Sequence, residues 1–121
     1  MNWKLDNSRP VYQQIKSHFR SAVLTGQYPM GSRVPSVREL AAAINANPNT
    51  VQRAYTDLEA EQVLVGNGTM GRFVTEDTAV IDALRQSAIR EAIQLTTTMF
   101  RAVGLTPKEA AALLMQEEEE V

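Results

Sequence analysis

Four polar residues near the middle of the chain have side chains that can read the edges of nucleic-acid bases. They are Asn49, Thr50, Gln52 and Arg53, on the polar face of a predicted helix. A carboxamide can hold an adenine through two hydrogen bonds, and a guanidinium can hold a guanine in the same way. These four residues are therefore the candidates for base contacts. For Arg53, a surface ion pair with Asp57, one helical turn on, is the alternative.

Further cations and a hydroxyl lie where a DNA backbone could pass. Arg33 is in a loop punctuated by Pro29 and Gly31, and is a candidate phosphate contact. Ser36, just after it, is mainly a helix cap and a second phosphate candidate. Arg72 lies in a short apolar run, where a cation can meet a phosphate or a narrow minor groove.

The composition excludes several other kinds of chemistry. The 121 residues include no Cys and one His, so thiolate metal sites, disulfides and His-rich metal centres are not expected. No nucleophile–base pair and no phosphate-binding loop is present, so we do not expect an enzyme, a cofactor or a metal. The sequence also lacks a secretory signal and a run of about 18 apolar residues, which predicts a cytoplasmic protein with no membrane segment.

The charge is divided unevenly along the chain. Residues 1–75 carry eight Lys or Arg against five Asp or Glu, whereas residues 76–121 carry four against nine. A mildly basic part joined to an acidic part suggests two different roles. A chance distribution is the alternative, because an excess of three positive charges is small.

Three amphipathic helices are predicted in the first half of the chain. The first covers about residues 10–25. The second begins at Ser36, which forms an S-x-x-E capping box with Glu39, and the third begins at Asn47 and Pro48, an N-cap followed by a first-turn proline. About three residues separate the second helix from the third, which is the spacing of a helix-turn-helix, and an ordinary α-hairpin is the alternative.

A β-hairpin is predicted directly after the third helix. Residues 63–65 and 71–74 are short apolar runs, and Gly66-Asn67-Gly68 between them tolerates positive φ. A hairpin in this place is the wing of a winged helix-turn-helix. We therefore predict a mainly α fold with a small β-hairpin, in which residues 1–75 form a winged helix-turn-helix DNA-binding domain.

Residues 76–121 are predicted to form a two-helix region. A long helix from about Ala79 to Val103 has a wide apolar surface, Gly104 ends it, and a second capping box opens the last helix at Thr106. Two helices cannot bury two apolar stripes alone. They pack either on the winged domain or, as we favour, on a second copy, because symmetric dimers are the commonest assembly. The expected dimer-interface residues are Ile81, Leu84, Ala88, Leu95, Met99, Phe100 and Leu113.

The chain resembles the GntR family of bacterial transcription regulators, and more narrowly its short YtrA-like branch. The resemblance is carried by PVYQQI at residues 10–15, GSRVPSVRELA at 31–41, NPNTVQRAYTDLE at 47–59 and GRFV at 71–74. The segment FRAVGLTPKEAAALL, residues 100–114, resembles the two-helix dimerisation tail of that branch. These motifs follow one another in the order and with the gaps typical of the family.

The resemblance implies further DNA contacts and reveals two departures. It implies that Arg38, near the start of the second helix, reaches DNA; an exposed pair with a neighbouring Glu is the alternative. It also places Gly71 of the wing motif at the DNA, beside Arg72. Gln62 stands where the family usually has a helix-ending Gly, and Thr69 replaces the first Gly of the wing motif. Both differences reduce backbone freedom.

Taken together, these features predict a sequence-specific transcription regulator. Its expected partners are double-stranded DNA, as an inverted repeat, and a second copy of the chain. The resemblance implies a repressor of a transporter-type operon. The alternative is a protein-interaction module that reuses a winged-helix scaffold. The roughly 45 residues after the wing are too few to enclose a ligand pocket of a few hundred Å³, and no effector is identified.

Overall fold

The computed structural model describes residues 3–120, with side chains described for residues 3–118. The fold is mainly α with one antiparallel hairpin, as predicted. The elements are α1 Val11–Leu24, α2 Val37–Ile44, α3 Pro48–Ala60, β1 Leu64–Gly66, a 3₁₀ helix Gly68–Met70, β2 Arg72–Val74, α4 Thr78–Ala102 and α5 Pro107–Glu120. The contacts between Cα atoms divide the chain into a first unit that ends at Leu84 and a second unit that begins at Arg85.

The core of the first unit lies between α1, α2, α3 and the hairpin. Phe19 is fully buried, and its ring meets the ring of Tyr55 edge-on with 5.3 Å between centroids. Burial raises the pKa of Tyr55, whose hydroxyl donates a 2.6 Å hydrogen bond to the carbonyl of Pro35. Because this hydroxyl is satisfied, the large ring can fill the core without leaving an unpaired polar atom. Tyr55 is thus a core residue, as its apolar spacing indicates.

Local hydrogen bonds and caps define where α2 begins and ends and where α3 begins. Ser36 Oγ accepts from the N–H of Glu39 at 3.1 Å, and the Glu39 carboxylate accepts from the N–H of Ser36 at 3.2 Å, which confirms the capping box. Asn45 ends α2 with a left-handed φ of 55°, and Asn47 caps α3 through a 2.8 Å bond to the N–H of Asn49. These local bonds set the direction in which α3 leaves the turn.

The hairpin pairs Leu64 with Val74 and Gly66 with Arg72, so its strands are shifted by about one residue from the predicted ones. The connection holds a 3₁₀ helix rather than the predicted turn at Gly66-Asn67-Gly68, since Gly66 belongs to β1, and Gly71 takes a φ of 107° at its end. Residues 32–34, predicted as loop, pair with the outer side of β2, since the N–H of Val34 donates to the carbonyl of Arg72 at 2.9 Å. The wing is therefore attached to the segment that precedes α2.

The first unit extends into the start of α4. Ile81 is 8% exposed and belongs to the core cluster, and Leu84 packs partly buried against the same cluster. Both residues are in the interface set that the sequence predicts. The structure covers Ile81 with side chains of its own chain, which leaves little of its surface for a partner. The division into two domains after residue 75 stays a prediction.

The second unit consists of the rest of α4 and α5. Gly104 follows α4 with a φ of 84°, as expected for a glycine at a helix end. Thr106 and Glu109 form the predicted capping box, with bonds of 3.0 and 3.2 Å. These hydrogen bonds hold the pKa of the Glu109 carboxyl below its ordinary value. Both ends of the connection are thus locally determined.

Candidate nucleic-acid interface

Helix α3 presents a buried face and a polar exposed face. Val51, Tyr55 and Leu58 are fully buried against the core. Of the four predicted base-reading residues, Asn49, Gln52 and Arg53 are exposed, while Thr50 is half-buried. Because the apolar face is committed to the core, the direction of the polar face is fixed by the packing of the whole first unit.

The polar side chains of α3 differ in how far they are engaged. Gln52 donates from Nε2 to the hydroxyl of Thr56 at 3.2 Å, and this bond joins two successive turns of the helix. The side-chain amide of Asn49 makes no hydrogen bond within residues 3–118. Both carboxamides therefore keep donors and acceptors that are available to an external partner.

Arg53 contacts α1 rather than its helical neighbour. Its Cζ atom lies 3.7 Å from the centroid of the Tyr12 ring. The alternative ion pair with Asp57 is not formed, since Asp57 is bound by Lys16 of α1 at 3.3 Å. The guanidinium is exposed and, over the part of the chain that the structure describes, has no carboxylate partner.

Arg33 and the capping box of α2 lie together. An Nη atom of Arg33 is 3.8 Å from a carboxylate oxygen of Glu39, and the Arg33 side chain is 55% exposed. Hydrogen bonds from Ser36 are the main reason that the pKa of the Glu39 carboxyl lies below its usual range, and Arg33 adds to this effect. Ser36 serves first as the cap, as predicted. Arg33 keeps most of its donors at the surface.

Arg38 is exposed in the first turn of α2. It forms no ion pair with Glu39 or with any other residue in the range 3–118, so the alternative of a surface pair is not realised. The side chain is therefore a free cation beside the N-terminus of α2. A helix N-terminus and a cation together favour an anion such as phosphate.

The two predicted wing residues have different surroundings. A Cβ on Gly71 would come within 3.0 Å of Arg33 Nε, so glycine lets Arg33 cross the base of the wing. Arg72 points toward α3, where its Nε donates to Glu59 at 2.9 Å and its Cζ lies 5.2 Å from the Tyr55 ring. Arg72 is only 25% exposed. It ties the wing to α3, and its remaining N–H donors are the part open to DNA.

The structure adds residues that the sequence patterns miss. Tyr12 supports Arg53, and Glu59 holds Arg72; each is a contact between elements far apart in the chain, which periodicity cannot reveal. His18 is half-buried and stacks on Trp3 with 4.3 Å between ring centroids. For Tyr12, the one signal in the sequence is its place in the PVYQQI motif.

The predicted dimer-interface residues of the second unit are mostly uncovered by their own chain. Leu95, Met99 and Leu113 are 60%, 71% and 48% exposed. Ala88 and Phe100 are half-buried, and Phe100 lines a groove of about 420 Å³ with Leu113 and Leu114. The same region exposes other large apolar side chains, which are Ile89, Ile93, Val103 and Met115.

The described residues offer little for other chemistry. Within them, no cluster of His, Cys, Asp or Glu could hold a metal ion. None of the helices described in residues 3–120 is long and apolar enough to cross a membrane. The first unit instead presents an exposed polar helix, flanking arginines and a hairpin that pairs with the segment before α2.

This arrangement defines a winged helix-turn-helix protein, a class that regulates transcription. Residues 11–74 match the family described as bacterial regulatory proteins, gntR family. The chain belongs to the GntR family of transcription regulators. The matched range contains all nine residues that the sequence predicts to contact DNA.

Two curated relatives place the chain more closely. It is 32% identical over 106 residues to the HTH-type transcriptional regulator Rv1152 of Mycobacterium tuberculosis, covering 88% of this chain and 84% of the relative. It is 41% identical over 71 residues to the HTH-type transcriptional repressor YtrA of Bacillus subtilis, covering 59% of this chain and 55% of YtrA. Within the family, the chain is thus similar to the YtrA-like regulators.

Solved structures agree with the fold. A GntR family transcriptional regulator from Listeria monocytogenes superimposes with a TM-score of 0.85 at 29% identity, covering 93% of this chain and 98% of that chain. The DNA-binding domain of AraR in complex with operator ORX1 matches with a TM-score of 0.54 at 24% identity. That match covers 62% of this chain and 92% of the AraR chain.

Proposed function

We propose that this regulator binds an inverted-repeat operator as a homodimer and represses transcription. The observation that carries the proposal is the exposed face of α3, where Asn49, Gln52 and Arg53 stand on a helix whose other face is buried. Such a helix can enter the major groove and bring amide and guanidinium groups to base edges.

The flanking cations support a backbone role around this helix. Arg33 and Arg38 are both exposed, one at the foot of the wing and the other at the start of α2. Phosphate contacts from such side chains fix the position of a protein on DNA, whereas base contacts provide specificity. Arg72 can contribute the N–H donors that Glu59 does not bind. Ser36 lies between Arg33 and Arg38 in the sequence, and Gly71 directly precedes Arg72.

The second unit supports the homodimer. Its exposed apolar side chains would become buried if a second copy packed on α4 and α5, and apolar burial is the main driving force of association. A dimer with two-fold symmetry binds two half-sites in inverted orientation. The acidic excess of residues 76–121 also favours DNA binding on the first unit rather than on the second.

Repression and the type of operon are suggested by similarity. YtrA is described as a repressor, and the resemblance to the YtrA-like branch suggests a transporter-type operon as the target. A repressor of this kind acts where the chromosome is, so we place the chain in the cytoplasm. We propose no metal, cofactor or catalytic activity for it.

The test is selection of binding sites from random double-stranded DNA by the full chain, followed by affinity measurements at low and at physiological salt. We expect an inverted repeat whose affinity falls steeply with salt, because each neutralised phosphate releases counterions. A protein-interaction module on the same scaffold would instead yield no enriched sequence and only weak, unspecific binding.

A further inference from the structure

The guanidinium of Arg53 lies over the ring of Tyr12. Tyr12 lies in the first turn of α1, and Arg53 lies on the exposed face of α3, so the contact joins two helices 41 residues apart in sequence. With 3.7 Å between Cζ and the ring centroid, the cation is well inside the range of a cation–π interaction.

Among residues 3–118, no carboxylate pairs with Arg53 in competition with the ring. Asp57, the residue one turn further along α3, is bound by Lys16, and Glu61 is bound by both Lys16 and Arg20. The acidic residues on this side of α3 are thus neutralised by α1. Arg53 is left to the aromatic ring and to an external ligand.

The ring itself is held in place. Tyr12 is half-buried and packs against the hydrophobic core of the first unit. Its hydroxyl accepts a 3.3 Å hydrogen bond from Gln13 Nε2 at the surface. Pro10 precedes it as the N-cap of α1 with a φ of −55°, and its carbonyl accepts from the N–H of Gln13. The ring is therefore a fixed support.

A fixed support matters because a free arginine side chain loses much conformational freedom when it binds. Stacking uses the face of the guanidinium and leaves the N–H donors, which lie in its plane, for a base edge. Arg53 is then ordered before DNA arrives, and less freedom is lost on binding.

We propose that Tyr12 is a positioning residue, which holds Arg53 in the geometry that reads its base. This inference rests on the proposed function, since it concerns how one predicted base contact is made. Tyr12 acts through Arg53 and not through a DNA contact of its own.

The experiment combines operator affinity with a readout that needs no DNA. The first step locates the base pair at which Arg53→Ala loses discrimination, by single base-pair changes in the selected operator. Tyr12→Leu is then expected to lower operator affinity about three- to tenfold and to weaken discrimination at that same base pair only. Tyr12→Phe keeps the ring and is expected to stay within about twofold of wild type, as is the control Ser17→Ala, at an exposed position of α1 that does not contact Tyr12.

Two further results decide the assignment. In an Arg53→Ala background, Tyr12→Leu is expected to cost nothing more, because the two residues act as one unit. The proposal would be overturned if the double variant lost affinity by the product of the two single losses. It would also be overturned if Tyr12→Phe lost as much affinity as Tyr12→Leu, because the hydroxyl would then contact DNA itself. Thermal unfolding of each variant separates these outcomes from loss of the fold.

NMR of the free protein distinguishes this inference from the proposed function. The side-chain protons of Arg53 are expected to show an upfield ring-current shift that Tyr12→Leu abolishes and Tyr12→Phe preserves. Absence of that shift in the wild type overturns the role of Tyr12 whatever the protein binds. If the shift is present but the protein selects no DNA sequence, Tyr12 does position Arg53, and the operator-binding proposal is refuted instead.

Discussion

The two units of this chain differ in how far their large apolar side chains are exposed. In the first unit, Phe19 and Tyr55 are fully buried, and the exposed surface of α3 is polar. In the second unit, Leu95 and Met99 are 60% and 71% exposed. Apolar burial is the dominant favourable contribution to folding and to association. The first unit therefore has a core of its own and a surface suited to a charged ligand, whereas the second unit has a surface suited to another apolar surface.

The largest effect is expected from opening the core of the first unit. Phe19→Ala removes a fully buried ring that contacts Trp3, Tyr28 and Tyr55. We expect the free energy of unfolding to fall by about 3–5 kcal/mol, from lost burial and the cavity that remains. Urea unfolding followed by circular dichroism measures it. Val65→Ala, at a 49% exposed position of the wing, is the control, with an expected change within about 0.5 kcal/mol. Equal losses in both variants would contradict the contrast between core and surface.

A charge on the exposed apolar face of the second unit tests what that face is for. Met99→Asp is expected to raise the dissociation constant of the proposed homodimer on the order of 100-fold, because an unpaired carboxylate would be buried between two copies. Sedimentation equilibrium measures the constant. Met70→Asp places the same charge at a 65% exposed methionine of the first unit and should leave the dimer intact. A dimer that survives Met99→Asp would argue that this face is not the interface.

Removal of one arginine tests the polar face of the first unit. Arg53→Ala is expected to weaken operator binding by about 1–3 kcal/mol and to relax the preference at one base pair. Fluorescence anisotropy with the selected operator and its single-base variants gives both quantities. Arg90→Ala removes an exposed arginine of the second unit and is expected to leave operator affinity unchanged. The assignment of Arg53 fails if both substitutions have the same small effect.

The backbone offers a smaller test, because both units contain a left-handed residue at a helix end. The first unit places Gln62 there with a φ of 67°, and the second places Gly104 with a φ of 84°. For a residue with a Cβ, this conformation is less stable than a right-handed one by roughly 1 kcal/mol or more. We expect Gln62→Gly to stabilise the protein by about 0.5–1 kcal/mol, after the greater freedom of glycine in the unfolded chain is counted. Gly104→Ala should destabilise it by about 1 kcal/mol. Urea unfolding decides, and a loss of stability in Gln62→Gly would refute this account.

The smallest effect concerns the ion pairs between α1 and α3. Burial alone would raise the pKa of the Glu61 carboxyl, but hydrogen bonds from Arg20 and Lys16 outweigh it and the net shift is downward from 4.5. A lowered pKa stabilises the folded state at neutral pH, and this contribution is lost as the pH falls below 4.5 toward the folded-state pKa. Because the carboxyl is partly exposed, we expect less than about 1 kcal/mol.

The measurement is the difference in unfolding free energy between wild type and Glu61→Gln over a range of pH. The difference should be present at neutral pH and vanish in acid. Glu91→Gln, at an exposed position of α4, is the control and should show no such trend. A difference that grows toward acid pH would reverse the sign and exclude the ion pairs as its cause.

Much of the fold could be predicted because its signals are local. The capping boxes at Ser36 and Thr106, the N-cap Asn47 and the helix end at Gly104 each depend on residues a few positions apart, and all four are present. The hairpin was predicted with its strands about one residue out of place. Its connection depends on how the wing packs on neighbouring segments, which local turn patterns do not contain.

The candidate site was predictable in composition but not in its contacts. The sequence identifies Arg53 and Arg72 as candidate DNA contacts, but their partners Tyr12 and Glu59 lie on other elements. Likewise the apolar spacing of α4 does not distinguish Ile81, which its own core covers, from Leu95, which is exposed. Periodicity indicates that a helix face is apolar but does not indicate which residues pack against that face.

The most direct test of the central claim is footprinting of the full chain on the DNA upstream of its own gene, at low and at physiological salt. We predict a protected inverted repeat at low salt whose protection weakens as salt rises, with the two half-sites protected together. Absence of any protected sequence at low salt, in a protein that is dimeric in solution, would contradict the operator-binding account.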